Sequence, residues 1–178
     1  AMEDKWSEKF NSPVKVNNLN VCGIKLYLDG ALGSRGASLL EPYSDEKDNK
    51  GCLLIEDEKL FNKCRVAIEK GFAVAVHSIG DLANRKAIGV FNQLLSLKGS
   101  NAVLRVEHAQ MIHPEDLRRV NPKIIFSVQP IHCLSDAKMA RDRIGKRLSY
   151  AYLWKSLLDC GAKIIGGSDF PIESHNPL

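Results

Sequence analysis

Paired cysteine chemistry is missing from this chain. Its five cysteines, Cys22, Cys52, Cys64, Cys133 and Cys160, are odd in number, widely scattered and never arranged as Cys-x-x-Cys. That pattern excludes a disulfide framework and a structural zinc knuckle, and the thiols read as small buried groups. No run of about 18 apolar residues occurs, so no membrane-spanning helix is predicted. The N-terminus also lacks a charged-then-apolar signal pattern, which makes the cytoplasm the expected compartment. Aromatic residues make up only 7% of the chain, and none interrupts its densest basic stretch, residues 138–147. With the net charge of +4 spread over mixed-sign segments such as 56–70, neither nucleic acid nor a membrane is an expected partner. No Gly-x-Gly-x-x-Gly follows a first strand and no Gly-Lys-Ser/Thr occurs, which removes support for a nucleotide-binding open sheet.

What is present suits one folded domain: 178 residues, 44% of them hydrophobic, are enough for a packed core. Short apolar runs alternate with segments of helical period. Strands are predicted over 23–30, 72–77, 102–108, 123–129 and 163–168. The segment 56–70 opens on three acids, repeats Leu60, Cys64, Ala67 and Ile68 on one face, and stops at Gly71, a usual cap position. Asp81 is placed to cap a second helix, whose apolar positions run from Ala83 to Leu95 until Gly99. His113-Pro114-Glu115-Asp116 starts a short third helix, with proline at its first position. A loop or short helix follows over 133–145, then a firmer helix over 150–160 ended by Gly161. Residues 1–20 form a poorly defined N-terminal segment of the same domain, and Ala1-Met2 has the look of a cloning scar.

Strict alternation of short apolar strands with helices predicts an α/β fold with a parallel sheet covered on both faces. The barrel is favoured over the open sheet. A closed (β/α) TIM-type barrel takes eight strands and at least about 200 residues, so five strands predict the last part of a barrel, cut from a longer protein.

In such a barrel the carboxyl ends of the strands meet at one rim. His77 and His108 end two successive predicted strands, and Asp169 follows the last one. Imidazole and carboxylate are the usual donors for zinc. A lone histidine there also serves as a hydrogen-bonded structural residue, and Asp169 also suits the capping of the next turn. Lys25 lies within an apolar strand, where a bare ammonium needs a partner, a lowered pKa or covalent modification. As a neutral amine it adds carbon dioxide to become a carbamate. Otherwise it snorkels to the rim. The loop from Gly30 to Gly36 either cradles an anion through its amides and Arg35 or serves as a linker. His113 reads as a helix-start residue, whereas His132 and His175 are weaker candidates for substrate contact.

Five motifs together resemble the amidohydrolase superfamily, specifically its YtcJ-like branch, which includes the N-substituted formamide deformylases. They are Lys25-Leu26-Tyr27-Leu28-Asp29-Gly30-Ala31-Leu32-Gly33-Ser34-Arg35, Val76-His77-Ser78-Ile79-Gly80-Asp81, Val106-Glu107-His108-Ala109-Gln110, Phe126-Ser127-Val128-Gln129-Pro130 and Gly167-Ser168-Asp169-Phe170-Pro171-Ile172-Glu173. The resemblance implies strands four to eight of an amidohydrolase barrel, usually joined to a small β-sandwich. It implies a metal-dependent hydrolase that acts on carbon–nitrogen bonds of a small-molecule substrate through activated water. Lys25 would be the carboxylated bridging lysine, and His77 and His108 metal ligands. Asp169 would be a ligand or the proton acceptor, and Arg35, Gln129 and His132 would orient substrate. One or two divalent ions are implied, zinc by default. The chain departs from the family in having no His-x-His anywhere, so the polypeptide alone is expected to lack one metal site. The alternatives are a non-catalytic remnant or interaction module, and a metal-free α/β binding protein. Open strand edges and an uncovered apolar face predict self-association, as a homodimer or another assembly of the chain with itself.

Overall fold

Five strands, each a short apolar run between turn residues, align in sequence order. In the computed structural model, which describes residues 5–98 and 101–177, these are β3 (Gly23–Tyr27), β4 (Ala73–Ser78), β5 (Leu104–His108), β6 (Ile125–Val128) and β7 (Lys163–Gly166). They form one sheet in the order β3-β4-β5-β6-β7, every neighbouring pair parallel. The long helices α2 (Asp57–Glu69) and α3 (Asp81–Ser96) connect the first three of these strands. The later connections are shorter: α4 (Pro114–Leu117), α5 (Pro130–Ser135), α6 (Ala137–Ile144), a 3-10 turn at Gly145–Tyr150 and α7 (Trp154–Asp159).

Side chains alternate across a strand, and the register turns that alternation into two rows. Leu26, Val76, Val106, Phe126 and Ile164 stand side by side. They pack against Leu60, Cys64 and Ala67 of α2, Ala87, Ile88, Phe91 and Leu94 of α3, and Leu157 of α7 in one core. The opposite face carries Lys25, Ala75, Arg105, Ile125 and Lys163 in one row, and Tyr27, His77, Glu107, Ser127 and Ile165 in the next. Lys25, Tyr27, Lys163 and Ile165 of that face are exposed. The sheet is therefore covered on one face, not two, and the open face is largely polar rather than apolar. The physical reason is the barrel plan itself: inward side chains of an arc are covered by strands on the far side. The architecture is a five-stranded arc of a (β/α) barrel.

Several boundaries depart from the sequence reading. Residues 1–20 include a helical turn, α1 (Trp6–Lys9), and an antiparallel hairpin of β1 (Val14–Val16) and β2 (Leu19–Val21). Its two-residue turn is Asn17-Asn18, with Asn17 at φ 52°, where asparagine is tolerated. The 133–145 segment is two helices, and the helix expected over 150–160 is confined to α7. Gly80 is the N-cap of α3, and Asp81 is its first residue. The buried Asp81 carboxylate still accepts from Leu82 N at 3.0 Å and from Leu40 N at 2.9 Å, tying the helix start to a distant loop. Gly99 and Ala1-Met2 lie outside the described residues.

Gly71 and Gly161 end α2 and α7 alike, both at φ 80°. Gly71 N donates to Ile68 O and Phe72 N to Ala67 O, while Gly161 N donates to Leu158 O and Ala162 N to Leu157 O. These are Schellman closures. A Cβ at Gly71 would meet nothing nearer than Pro13 at 3.6 Å, so only the left-handed backbone penalises a side chain. Gly71→Ala is expected to lower the unfolding free energy by about 1–2 kcal/mol, measured by urea denaturation.

Candidate metal centre

Above the strand ends, the loop after β3 folds back and buries Leu32, Leu39 and Tyr43 with Ile79, Met111 and Ile144 in a second apolar cluster. This cluster fixes the turns that present the rim residues. Tyr27, His77, His108 and His132 form a row there: ring centroids lie 5.1 Å apart for Tyr27 and His77, 4.6 Å for His77 and His108, and 6.2 Å for His108 and His132.

His108 is held by a determined hydrogen bond. Gln129 donates from Nε2 to Ser127 O at 3.3 Å, which turns its Oε1 toward His108 Nδ1 at 2.8 Å. An amide oxygen only accepts, so His108 carries its proton on Nδ1 and keeps the Nε2 lone pair. The residue is buried and sits at φ 75°, followed by Ala109 at φ 45°. Two successive non-glycine residues in the left-handed region are strained, a condition that collects at functional sites.

Both imidazoles are held neutral. Burial, then the neighbouring His108, pushes the His77 pKa down to about 4 against the opposing pull of the Gly30 carbonyl. Burial likewise lowers His108, against the Asp169 carboxylate and the Gln129 hydrogen bond. Neutral imidazole is the metal-binding form. The charges of Lys25 and Asp169 both act on the two histidines, so the four residues singled out as ligands share one neighbourhood. Asp169 lies half-buried three residues beyond β7, at φ 57°.

Lys25 corrects an expectation. It is exposed on the open face with its Nζ 5.2 Å from the Tyr27 ring centroid, because no layer lies over that face. Its exposure alone would suit the metal-free binding reading; the two histidine rings packed against each other do not. No group of three His, Cys, Asp or Glu side chains among the described residues is arranged to hold a metal ion. The fit to a metal is thus a two-imidazole half-site with an amine and a carboxylate beside it.

The remaining candidates scatter. Arg35 is committed to Asp45, with Nη2–Oδ2 at 2.9 Å, and to Glu46, with Nε–Oε2 at 3.1 Å. The amides of Gly30, Arg35, Gly36 and Ala37 donate to carbonyls within the same loop, so those four amides and the Arg35 guanidinium are already engaged within the protein. Gln129 contacts His108, as described. His132 stacks over His108, and its buried Nε2 has no partner in the structure. His113 caps α4, its Nδ1 accepting from Glu115 N at 3.3 Å. His175 is exposed in the tail.

One residue escaped the sequence reading. Asp29 is 1% exposed, and its carboxylate accepts from Ser38 N at 2.9 Å, Ile79 N at 3.0 Å and Gly80 N at 2.8 Å. Burial pushes its pKa up to about 7 even against those three bonds. Its Oδ1 lies 3.7 Å from His77 Nε2. The only sequence signal was an acid at the end of an apolar strand just before glycine.

A family model described as "Amidohydrolase family" matches residues 3–178. The chain is 38% identical over 179 aligned residues to the Bacillus subtilis (strain 168) protein named "Putative amidohydrolase YtcJ", covering 98% of this chain and 33% of that one. It is 36% identical over 160 residues to "Protein LONG AFTER FAR-RED 3" of Arabidopsis thaliana, covering 88% and 27%. Two crystal structures of uncharacterized metal-dependent hydrolases superpose on 98% of the chain. The Pyrococcus horikoshii OT3 protein does so with a TM-score of 0.83 at 33% identity, and the Pyrococcus furiosus protein with 0.84 at 32%. The chain spans about a third of the length of these relatives.

Proposed function

The chain belongs to the amidohydrolase family, and we propose that it forms the later part of the catalytic barrel of a metal-dependent hydrolase acting on carbon–nitrogen bonds of a small molecule. The observation that carries this is the pair of neutral imidazoles, His108 buried and His77 half-buried, packed 4.6 Å apart at the rim. Two adjoining imidazoles kept uncharged at one rim, with Gln129 leaving one Nε2 lone pair open, suit a metal better than they suit a core.

In this reading His77 and His108 hold a divalent ion, zinc by default for histidine and carboxylate donors. Lys25 completes the set once its neutral amine adds carbon dioxide and loses a proton, giving a carbamate in place of an ammonium. When bound, such an ion polarises a carbonyl and lowers the pKa of water toward neutrality. The part played by the chain itself is proton transfer and positioning: the Asp169 carboxylate takes the proton of the attacking water and returns it to the departing amine. His132, stacked on His108 with an unpartnered Nε2, is placed to orient substrate.

A second reading, a remnant that keeps these residues without turnover, is supported by the absence of His-x-His and of any three-donor cluster among the described residues. Metal content decides between them. After incubation with zinc and bicarbonate, the purified chain is expected to retain about one ion by plasma emission spectrometry. The His77→Ala, His108→Ala double variant should retain none. Equal content in both forms, or none in either, would overturn the metal-site reading for this polypeptide.

A further inference from the structure

A metal-binding imidazole is held by a partner on its second nitrogen, which sets the tautomer and aims the ring. Gln129 does this for His108. For His77 the Gly30 carbonyl acts on the ring, yet Nε2 is buried without a hydrogen-bond partner, and a carboxylate oxygen, Asp29 Oδ1, lies 3.7 Å from it. We propose that Asp29 is the positioning residue of His77, accepting its Nε2–H and so presenting Nδ1 to the metal; this rests on the half-site reading given above.

Three features of Asp29 point to this role. Its Oδ2 is saturated by two amides, Ser38 N and Gly80 N, whereas Oδ1 accepts only Ile79 N. The free lone pair is thus on the oxygen that faces His77. A closure of less than about 1 Å brings the pair to charge-assisted hydrogen-bond distance. The amides of Ile79 and Gly80 lie two and three residues beyond His77, so the carboxylate grips both the backbone that carries the ring and the ring itself. A carboxylate needed only as a loop tie would have no reason to face an imidazole with its unsaturated oxygen.

Asp29→Asn separates the two roles. The side-chain oxygen of asparagine will take the Oδ2 position, where two amides demand an acceptor, and this turns its NH2 toward Ile79 N and His77 Nε2. His77 must then accept on Nε2 and carry its proton on Nδ1. Long-range 1H–15N correlation spectra of the metal-free chain, recorded at about pH 8.5, above the ordinary carboxyl range, read the tautomer of each histidine directly. The expected result is Nε2–H at His77 in the native chain and Nδ1–H in Asp29→Asn. His108 should stay Nδ1–H in both. Zinc affinity of Asp29→Asn should drop about 10–100-fold.

A native His77 already carrying Nδ1–H overturns the proposal, and that spectrum needs no variant to fold. An unchanged tautomer in a folded Asp29→Asn overturns it too, leaving the Gly30 carbonyl as the holder of the ring. If the native chain shows Nε2–H, lost in the variant, yet binds no zinc, the hydrogen bond stands and the metal reading falls. If it binds zinc with Nδ1–H at His77, the metal reading stands and the role of Asp29 falls.

Discussion

Gly80→Ala is expected to destabilise the chain by about 4 kcal/mol or more, the range reserved for substitutions that break a buried network. Backbone conformation gives no warning of this, because Gly80 has φ −70° and ψ 156°, open to any residue. The obstacle is the distant loop. A Cβ at Gly80 would lie 2.0 Å from Ser38 O, 2.5 Å from Ser38 C and 2.7 Å from Ser38 N, all backbone atoms that no rotamer change can clear. Moving that loop away removes Ser38 N from Asp29 Oδ2 and Leu82 N from Ser38 O. Each buried group left unpaired costs about 1–3 kcal/mol. Urea denaturation followed by tryptophan fluorescence measures the loss. A value near that of Gly71→Ala would show that the loop yields easily and that the network is not what holds the rim.

The contrast between those two glycines shows what the sequence reveals. Gly71 was legible because its role is local: it follows an amphipathic run and closes that helix. The five parallel strands were legible for the same reason, as were His77 and His108 at successive strand ends, since apolar period and terminal position are properties of a few neighbouring residues. The importance of Gly80 lies in a contact 42 residues away with Ser38, and that of Asp29 in amides 50 and 51 residues distant. Gln129 was read as a substrate contact, and only its bond to Ser127 O reveals which way its amide faces His108. The exposure of Lys25 was hidden differently. Its strand reads as buried on both faces, and it would be so within a closed barrel, but a residue's cover depends on strands this chain does not supply. Asn17-Asn18 between alternating valine and leucine was a readable hairpin signal left unused in a segment treated as undefined.

In the metal-free chain, Asp29→Asn is expected to steepen the rise of stability with pH. Two shifts of opposite sign meet at this contact. The Asp29 pKa is raised from 3.8 to about 7, so the folded state holds a proton that the unfolded chain releases. Its stabilisation is complete below about pH 3.8 and is lost as pH rises through about 7. The His77 pKa is lowered from 6.5 to about 4, so the unfolded chain binds the extra proton. That stabilisation is complete above about pH 6.5 and is lost as pH falls through about 4. His108, also lowered by burial, acts in the same sense as His77. Between pH 4 and 6.5 the carboxyl offsets one of the two imidazoles, and the native chain should climb less steeply than the variant. Asparagine does not titrate, so the variant keeps only the histidine side of the balance. His77 alone should then raise its unfolding free energy by roughly 3 kcal/mol from pH 4 to 6.5, at 1.36 kcal/mol for each unit of pKa displacement, with His108 adding in the same sense. Asp45, lowered by Arg35 and Arg143, titrates below that window and does not disturb it. Urea titrations across the interval measure the slope. A variant profile that stays flat across the interval would mean that His77 is not held neutral by burial, and with that the argument for a metal-ready imidazole would fall.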